Sequence, residues 1–173
     1  MLLGETFDYV VDATWGALSD TMDAYYFEPT LLLYYRYLGK DTFPAITLVD
    51  GALWSLYPTE TQSIYTLSSV THTPVARVSS KSQAYQKLAA VDSNLIKQRR
   101  KLMEQEVQRF FPTFLDRFEY VAPQLSIKTK PIARTDDRSA SILRKNRCFQ
   151  VNSGKIDTIF FAADTILGAI FNE

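Results

Sequence analysis

Hydrophobic and polar positions follow two different periods along this chain, and the change of period marks its parts. Between residues 30 and 74 four runs rich in β-branched and aromatic residues succeed one another: TLLLYYRYLG (30–39), FPAITLVDG (43–51), ALWSLYPT (52–59) and QSIYTLSSVTHTP (62–74). Such residues fit a pleated, half-buried surface. In the fourth run Ile64, Thr66 and Ser68 alternate with Tyr65, Leu67 and Ser69, the period of a strand. The connections are short, so the spacing predicts an antiparallel meander, with Asp50-Gly51 as a hairpin turn. Upstream, FDYVVDATWG (7–16) reads as a strand and SDTMDAYYFEP (19–29) as a loop or short helix.

From Ser80 the period becomes helical. Leu88, Leu95 and Leu102 recur every seven residues, and Ile96, Met103, Val107 and Phe110 follow the same face. Asp92-Ser93-Asn94 divides the segment, because these residues favour caps over helix interiors, and Pro112 ends it. YVAPQLSIKTKPIAR (120–134) returns to extended structure and TDDRS (135–139) is a turn. SILRK and CFQVNSG form two short strands about a turn at Lys145-Asn146. A last helix over 156–171 is nearly all apolar, and Ile159, Phe160, Ala163, Ile166, Leu167 and Ile170 are its expected core residues. The pattern as a whole is α+β: a mainly antiparallel sheet, a long helical segment and a buried C-terminal helix.

Composition narrows the function. The 173 residues suit a single domain, and 46% apolar with 22% charged residues is a globular balance. Formal net charge is zero, which removes the electrostatic case for a nucleic-acid or membrane-surface partner. The one basic cluster, Lys97, Arg99, Arg100 and Lys101, lies within the helical pattern and reads as a solvated face. Cys148 and His72 are the only residues of their kinds. An internal disulfide and a Cys-rich or His-rich metal site are thereby excluded. The start lacks a signal peptide's basic segment, and no run approaches the roughly 18 apolar residues of a membrane span. A cytoplasmic location is expected.

Four places carry candidate chemistry. Ser153-Gly154-Lys155 is a glycine turn into the last helix. A glycine lets backbone approach a ligand closely, and a helix start offers unpaired N–H groups and partial positive charge. An ordinary turn capped by Ser153 has the same residues. Arg138 is suited to grip a carboxylate with paired hydrogen bonds, as are Arg36 and Arg134, and a surface turn with local ion pairs fits 136–138 equally. His72 offers a polar contact or a strand-end imidazole bonded to a carbonyl. Tyr57, with Trp54 and Tyr65, lines either a pocket or the core. Gly-x-Ser-x-Gly and phosphate-loop motifs are absent.

Taken in order, FDYVVDATWG, PAITLVDGALWSLYP, YTLSSVTHTP and VNSGKIDTIFFAADTILG resemble the C-terminal part of FAD-dependent oxidoreductases of the D-amino-acid oxidase superfamily. The first looks like that family's return strand and Ala-Thr-Gly-like turn, with Trp15 intruding before Gly16. The resemblance implies a substrate-binding region at 17–134, flanked by parts of an FAD-binding domain at 1–16 and 135–173. It places Gly154, Lys155 and Ile156 against the flavin, where reduction puts negative charge around N1 and the C2 carbonyl. It gives Arg138, His72 and Tyr57 to a small amine or hydroxy substrate, whose hydride passes to the flavin. One departure is large. The six glycines are Gly4, Gly16, Gly39, Gly51, Gly154 and Gly168. No two lie closer than twelve positions apart, so the Gly-x-Gly-x-x-Gly fingerprint for the pyrophosphate is absent. The expectation is a fragment, a split-enzyme subunit or an inactive remnant. In isolation it would bind FAD weakly or not at all, and an N-terminal FAD-binding partner chain or a homo-oligomer is expected. The alternative is a non-catalytic α+β domain that binds a small molecule or a partner.

Overall fold

The computed structural model describes residues 6–14, 25–51, 53–132, 140–152 and 156–172. In chain order these form β1 (Val10–Asp12), β2 (Tyr25–Tyr37), β3 (Ile46–Thr47), β4 (Trp54–Pro58), β5 (Ile64–Ser69), α1 (Lys81–Ala89), α2 (Ser93–Gln108), α3 (Phe114–Arg117), β6 (Phe118–Pro131), β7 (Ser141–Lys145), β8 (Cys148–Asn152), a 3₁₀ turn (Ile156–Thr158) and α4 (Ile159–Phe171). The α+β class stands. Contacts divide the chain into a larger unit, Phe27–Lys128, and a smaller one made of Met1–Tyr26 and Thr129–Glu173.

In the larger unit the strands lie in the order β3-β4-β5-β2-β6. The meander is antiparallel, with Trp54 opposite Ser69 and Leu33 opposite Leu67. Asp50 turns through a left-handed backbone at φ 66°, as the Asp-Gly signal implied. The hairpin is looser than a two-residue turn, and β3 keeps only Ile46 and Thr47 of the expected 43–51. β2 and β6 also run in opposite senses, since Thr30 bonds Ser126 and Arg36 pairs with Glu119.

β2 begins at Tyr25, where the sequence pattern gave a loop or short helix. Pro29 lies inside this strand, although a proline removes a ladder donor. Its neighbour on that edge is not a regular strand. Phe27 bridges Val78 and Thr30 bridges Pro74, and residues 75–77 between them are irregular. The Pro29 carbonyl still accepts from Val75 N at 2.8 Å. The proline therefore falls beside a break in pairing, where no donor is needed.

The odd residues of β2 face the core, where Leu31, Leu33, Tyr35 and Tyr37 pack with Leu56, Leu67, Met103 and Val107. Helix starts follow their caps: Ser80 Oγ accepts from Gln83 N, and Asp92 Oδ1 from Leu95 N at 2.8 Å. Tyr35, fully buried, donates its hydroxyl to Glu104 Oε1 at 2.9 Å, and Arg100 Nε donates to the same oxygen at 2.7 Å. The Arg100 guanidinium lies 4.2 Å over the Tyr120 ring. One carboxylate thus ties β2 to α2, and a cation–π contact carries the link to β6. Burial, then the Glu104 charge, pushes the Tyr35 hydroxyl above its ordinary 10.0.

At the end of β2 the Tyr37 hydroxyl donates to Asp41 Oδ1 at 2.8 Å and accepts from Arg117. The Tyr37 bond is the main cause holding the Asp41 carboxyl below its usual range. Tyr37, Phe43, Tyr65 and Phe118 pack with ring centroids 5.0–6.2 Å apart. A Cβ at Gly39 would come within 2.3 Å of Tyr37 Cζ and its hydroxyl, and the bonds that hold that hydroxyl make the clash costly.

The smaller unit holds a three-stranded sheet in the order β1-β8-β7. β1 runs parallel to β8, and β7 antiparallel to it through the Asn146 turn. Phe149 is buried beside Tyr9, with Arg144 over its ring at 5.2 Å. The helix that follows corrects the sequence reading. Only Ala162 and Ile166 of α4 are buried; Phe160 is 75% exposed, Phe161 60% and Phe171 81%. A helix with apolar residues all round needs cover on more than one side, and this unit's own sheet provides cover on one.

Three stability outcomes follow from the packing. Gly39→Ala should cost about 2–3 kcal/mol in urea unfolding, as overpacking against a locked ring does. Gly168→Ala, with nothing within 4 Å of the added methyl, should leave stability unchanged or raise it by up to about 1 kcal/mol through helix propensity. Tyr35→Phe should cost about 1–2 kcal/mol at neutral pH, because Glu104 loses a donor. A raised folded-state pKa gives stability that is complete below the unfolded value and lost above it. The gap between wild type and Tyr35→Phe should therefore narrow as pH rises past 10, in paired melts at pH 7 and above 10.

Candidate functional site at the ends of a parallel strand pair

Open sheets with parallel strands bind ligands outside the strands' carboxyl ends. β1 and β8 are such a pair, with Val10 opposite Cys148 and Asp12 opposite Gln150. The alternation of side chains puts Asp12, Gln150 and Asn152 on one face. At that end both terminal residues are polar and buried, Asp12 closing β1 and Asn152 closing β8. Asp12 Oδ1 accepts from Thr14 N at 2.9 Å and from Thr14 Oγ1 at 2.6 Å, which shapes the exit from β1. Asn152 Nδ2 is buried with no hydrogen-bond partner, an arrangement that costs about 1–3 kcal/mol.

Ser153, Gly154 and Lys155 follow Asn152 in the sequence, and Ser153 lies outside the described residues. Gly154 and Lys155 lie outside the described residues. Ile156, the third of the expected cofactor contacts, opens the 3₁₀ turn and is 87% exposed. Arg138 also lies outside the described residues. Arg36, its rival for a carboxylate, pairs with Glu119 at 3.2 Å on the surface.

Tyr57 and His72 sit in the larger unit and do not converge. Tyr57 stands opposite Thr66 and is 47% exposed, with its hydroxyl bonded to Thr47 Oγ1. His72 lies in the turn beyond Ser69, where its backbone N–H donates to Ser69 Oγ at 3.1 Å. Three ladder positions separate Thr66 from Ser69, or about 10 Å. A shallow groove of about 220 Å³ opens between Tyr37, Lys40, Asp41, Pro58, Thr59 and Gln62. It is smaller than the roughly 300 Å³ of small-molecule sites, and neither Tyr57 nor His72 lines it. Of the two others offered as pocket or core, Trp54 is core, and Tyr65 is in the core and also lines this groove.

Asp12 and Asn152 were not among the sequence candidates. The signal for Asp12 was its place two residues before Thr14, the spacing of a side chain that bonds backbone two residues on. Asn152 carried no local signal, because the burial of a polar strand-end residue opposite Ser141 is set by packing that side-chain alternation does not record.

Over 170 residues, 98% of this chain, the sequence is 49% identical to the FAD-dependent monooxygenase FPY4 of Fusarium mangiferae. The chain is thus similar to part of that FAD-dependent monooxygenase. The match spans 46% of the Fusarium protein, so the chain covers about half of that relative's length. The fold is similar to that of the FAD-dependent oxidoreductase PA4991 from Pseudomonas aeruginosa, with a TM-score of 0.50 and 14% identity, over 87% of this chain and 39% of that one. No family model matches the sequence. Among the described residues no helix is long and apolar enough to cross a membrane.

The strand-end geometry makes its own expectation. Asp12→Ala should lower stability by about 1–2 kcal/mol, since Thr14 loses both of its bonds. Asp12→Asn, which keeps an acceptor in place, should recover most of that loss when both are measured by urea unfolding.

Proposed function

We propose that this chain is the substrate-binding and flavin-closing portion of an FAD-dependent oxidoreductase of the D-amino-acid oxidase type. On this reading its missing nucleotide-binding half lies in sequence outside it. The observation that carries the reading is the match along almost the whole chain to about half of an FAD-dependent relative. The absence of paired glycines for a pyrophosphate agrees with it.

The residues present fit the group. The buried Asn152 amide lacks an acceptor at the strand end where nucleotide-binding sheets hold their ligands. Gly154 and Lys155 follow directly. Gly154 would allow close backbone approach, and Lys155 would place positive charge near the atoms that become negative on reduction. When bound, FAD would accept a hydride from a small amine or hydroxy substrate. Arg138 would hold a substrate carboxylate, and His72 and Tyr57 remain proposed polar contacts on the substrate-binding unit. The name of the Fusarium relative favours a second reading, in which the completed enzyme inserts one oxygen atom into its substrate.

The test is reconstitution. The chain alone should bind FAD with a dissociation constant above about 1 μM, or less than about 8 kcal/mol, by flavin fluorescence. Completed by the missing half, it should retain flavin and reduce it with substrate. Gly154→Val should weaken that retention, and Lys155→Met should lower the flavin potential in potentiometry. Tight binding by the chain alone, or a completed protein that stays colourless, would refute the reading. Hydrogen peroxide equal to substrate consumed marks an oxidase; an oxygenated product marks the second reading.

A further inference from the structure

The sheet of the larger unit has two unlike faces. Leu33 and Tyr35 of β2, Trp54 and Leu56 of β4, and Tyr65 and Leu67 of β5 turn to the core, which Met103, Val107 and Phe114 of the helices complete. The side chains between them turn the other way, and none of Leu32, Tyr34, Ser55, Tyr57, Thr66 and Ser68 is buried. The ladder sets these six in two rows. Tyr34 stands opposite Thr66, and Tyr57 stands opposite Thr66 on its other side. In the adjoining row Ser55 stands opposite Ser68, and the same register brings Leu32 beside Ser68.

Two aromatic walls therefore flank a floor of short hydroxyl side chains. Tyr34 on β2 and Tyr57 on β4 are separated by β5, two strand spacings or about 10 Å. A flat ring stacked between two others takes two carbon contacts, about 7–8 Å in all, so the gap admits one such ring and Thr66 is too short to fill it. The Tyr57 hydroxyl is bonded outward to Thr47 on β3, which keeps that wall from closing over Thr66. All six residues are uncharged. Beyond Tyr34 on the same face, Arg36 and Glu119 are joined at 3.2 Å and cancel one another. A charged group placed between the walls would give up hydration with no counter-charge beside it.

We infer that this trough selects the substrate, and that it takes an uncharged molecule by a flat unsaturated ring stacked between Tyr34 and Tyr57. Thr66 lies beneath the ring, and Ser55 and Ser68 in the adjoining row offer hydrogen bonds to a hydroxyl or carbonyl that the ring carries. Aromatic rings favour such offset stacking over contact with a saturated ring of the same size. The two tyrosines and Thr66 are specificity residues and take no part in the chemical step. The inference rests on the proposed function and narrows it to a ring-bearing, uncharged hydroxy substrate. The carboxylate that Arg138 would hold becomes an outcome of the test.

The test uses the full chain with naphthalenemethanol, a flat and uncharged alcohol, as the probe in ligand-observed NMR and calorimetry. Its saturated analogue, decahydronaphthalenemethanol, should bind about fivefold more weakly for want of a π face. Naphthoate, the same flat ring with a carboxylate, should also bind more weakly. Tyr34→Leu should weaken binding of the alcohol about fivefold, whereas Tyr34→Phe, which keeps the ring, should not. Thr66→Phe fills the floor and should abolish binding. Tyr85→Leu, at an exposed aromatic of α1, should change nothing. None of these positions is buried, so each variant should keep the wild-type circular dichroism and melting curve. Equal binding of the saturated alcohol, tighter binding of naphthoate, or binding that survives Thr66→Phe overturns the inference. So does a folded wild-type chain that binds no probe. Completing the chain with the missing half separates the two ideas. Probe bound at the trough of a completed protein that never retains flavin refutes the function and leaves the trough standing; a completed enzyme whose flavin an amino acid reduces, and which binds no probe, does the reverse.

Discussion

The larger unit depends on β2 having a neighbour along both edges and a filled face. A strand so placed must satisfy every backbone group and bury nearly every side chain. β5 and the 74–78 segment take one edge and β6 the other. Thr30, fully buried, meets this demand through Ser126, and Pro29 meets it by standing where pairing is already interrupted. The caps at Ser80 and Asp92 then set where α1 and α2 begin, and so which residues of α2 reach the sheet.

Polar groups fix the register of that packing. Apolar side chains slide against one another at little cost, whereas a buried hydroxyl and carboxylate must meet within about 3 Å or lose their bond. Tyr35 to Glu104 to Arg100 sets α2 on β2, and Tyr37 between Asp41 and Arg117 sets the strand end against the aromatic cluster. These bonds hold the strands and helices of the larger unit in one arrangement.

The smaller unit is built differently. Three short strands and one helix cannot enclose a core of their own, since the buried fraction falls steeply as a domain shrinks. Its polar residues are instead gathered at the strand ends, in Asp12 and Asn152, and its apolar residues are left facing outward along α4.

Period and turn chemistry by themselves determined much of this protein: the meander of residues 30–74, the division of the helical segment at Asp92, the turn at Asn146 and the extent of the last helix. These are local properties, set by side-chain alternation, caps and backbone torsions within a few residues. The succession of motifs also pointed to an FAD-dependent oxidoreductase, and the missing glycine spacing to an incomplete one. Tertiary structure alone decided the rest. Residues 25–29, read as loop or short helix, join β2, and Pro29 is accommodated there by its irregular neighbour. Tyr57 and His72 looked like partners until the ladder placed them at opposite ends of the hairpin. The α4 sequence looked like core because hydrophobicity records that a side chain must be covered; only the fold shows which of these side chains the described residues cover, Ala162 and Ile166, and which they leave exposed.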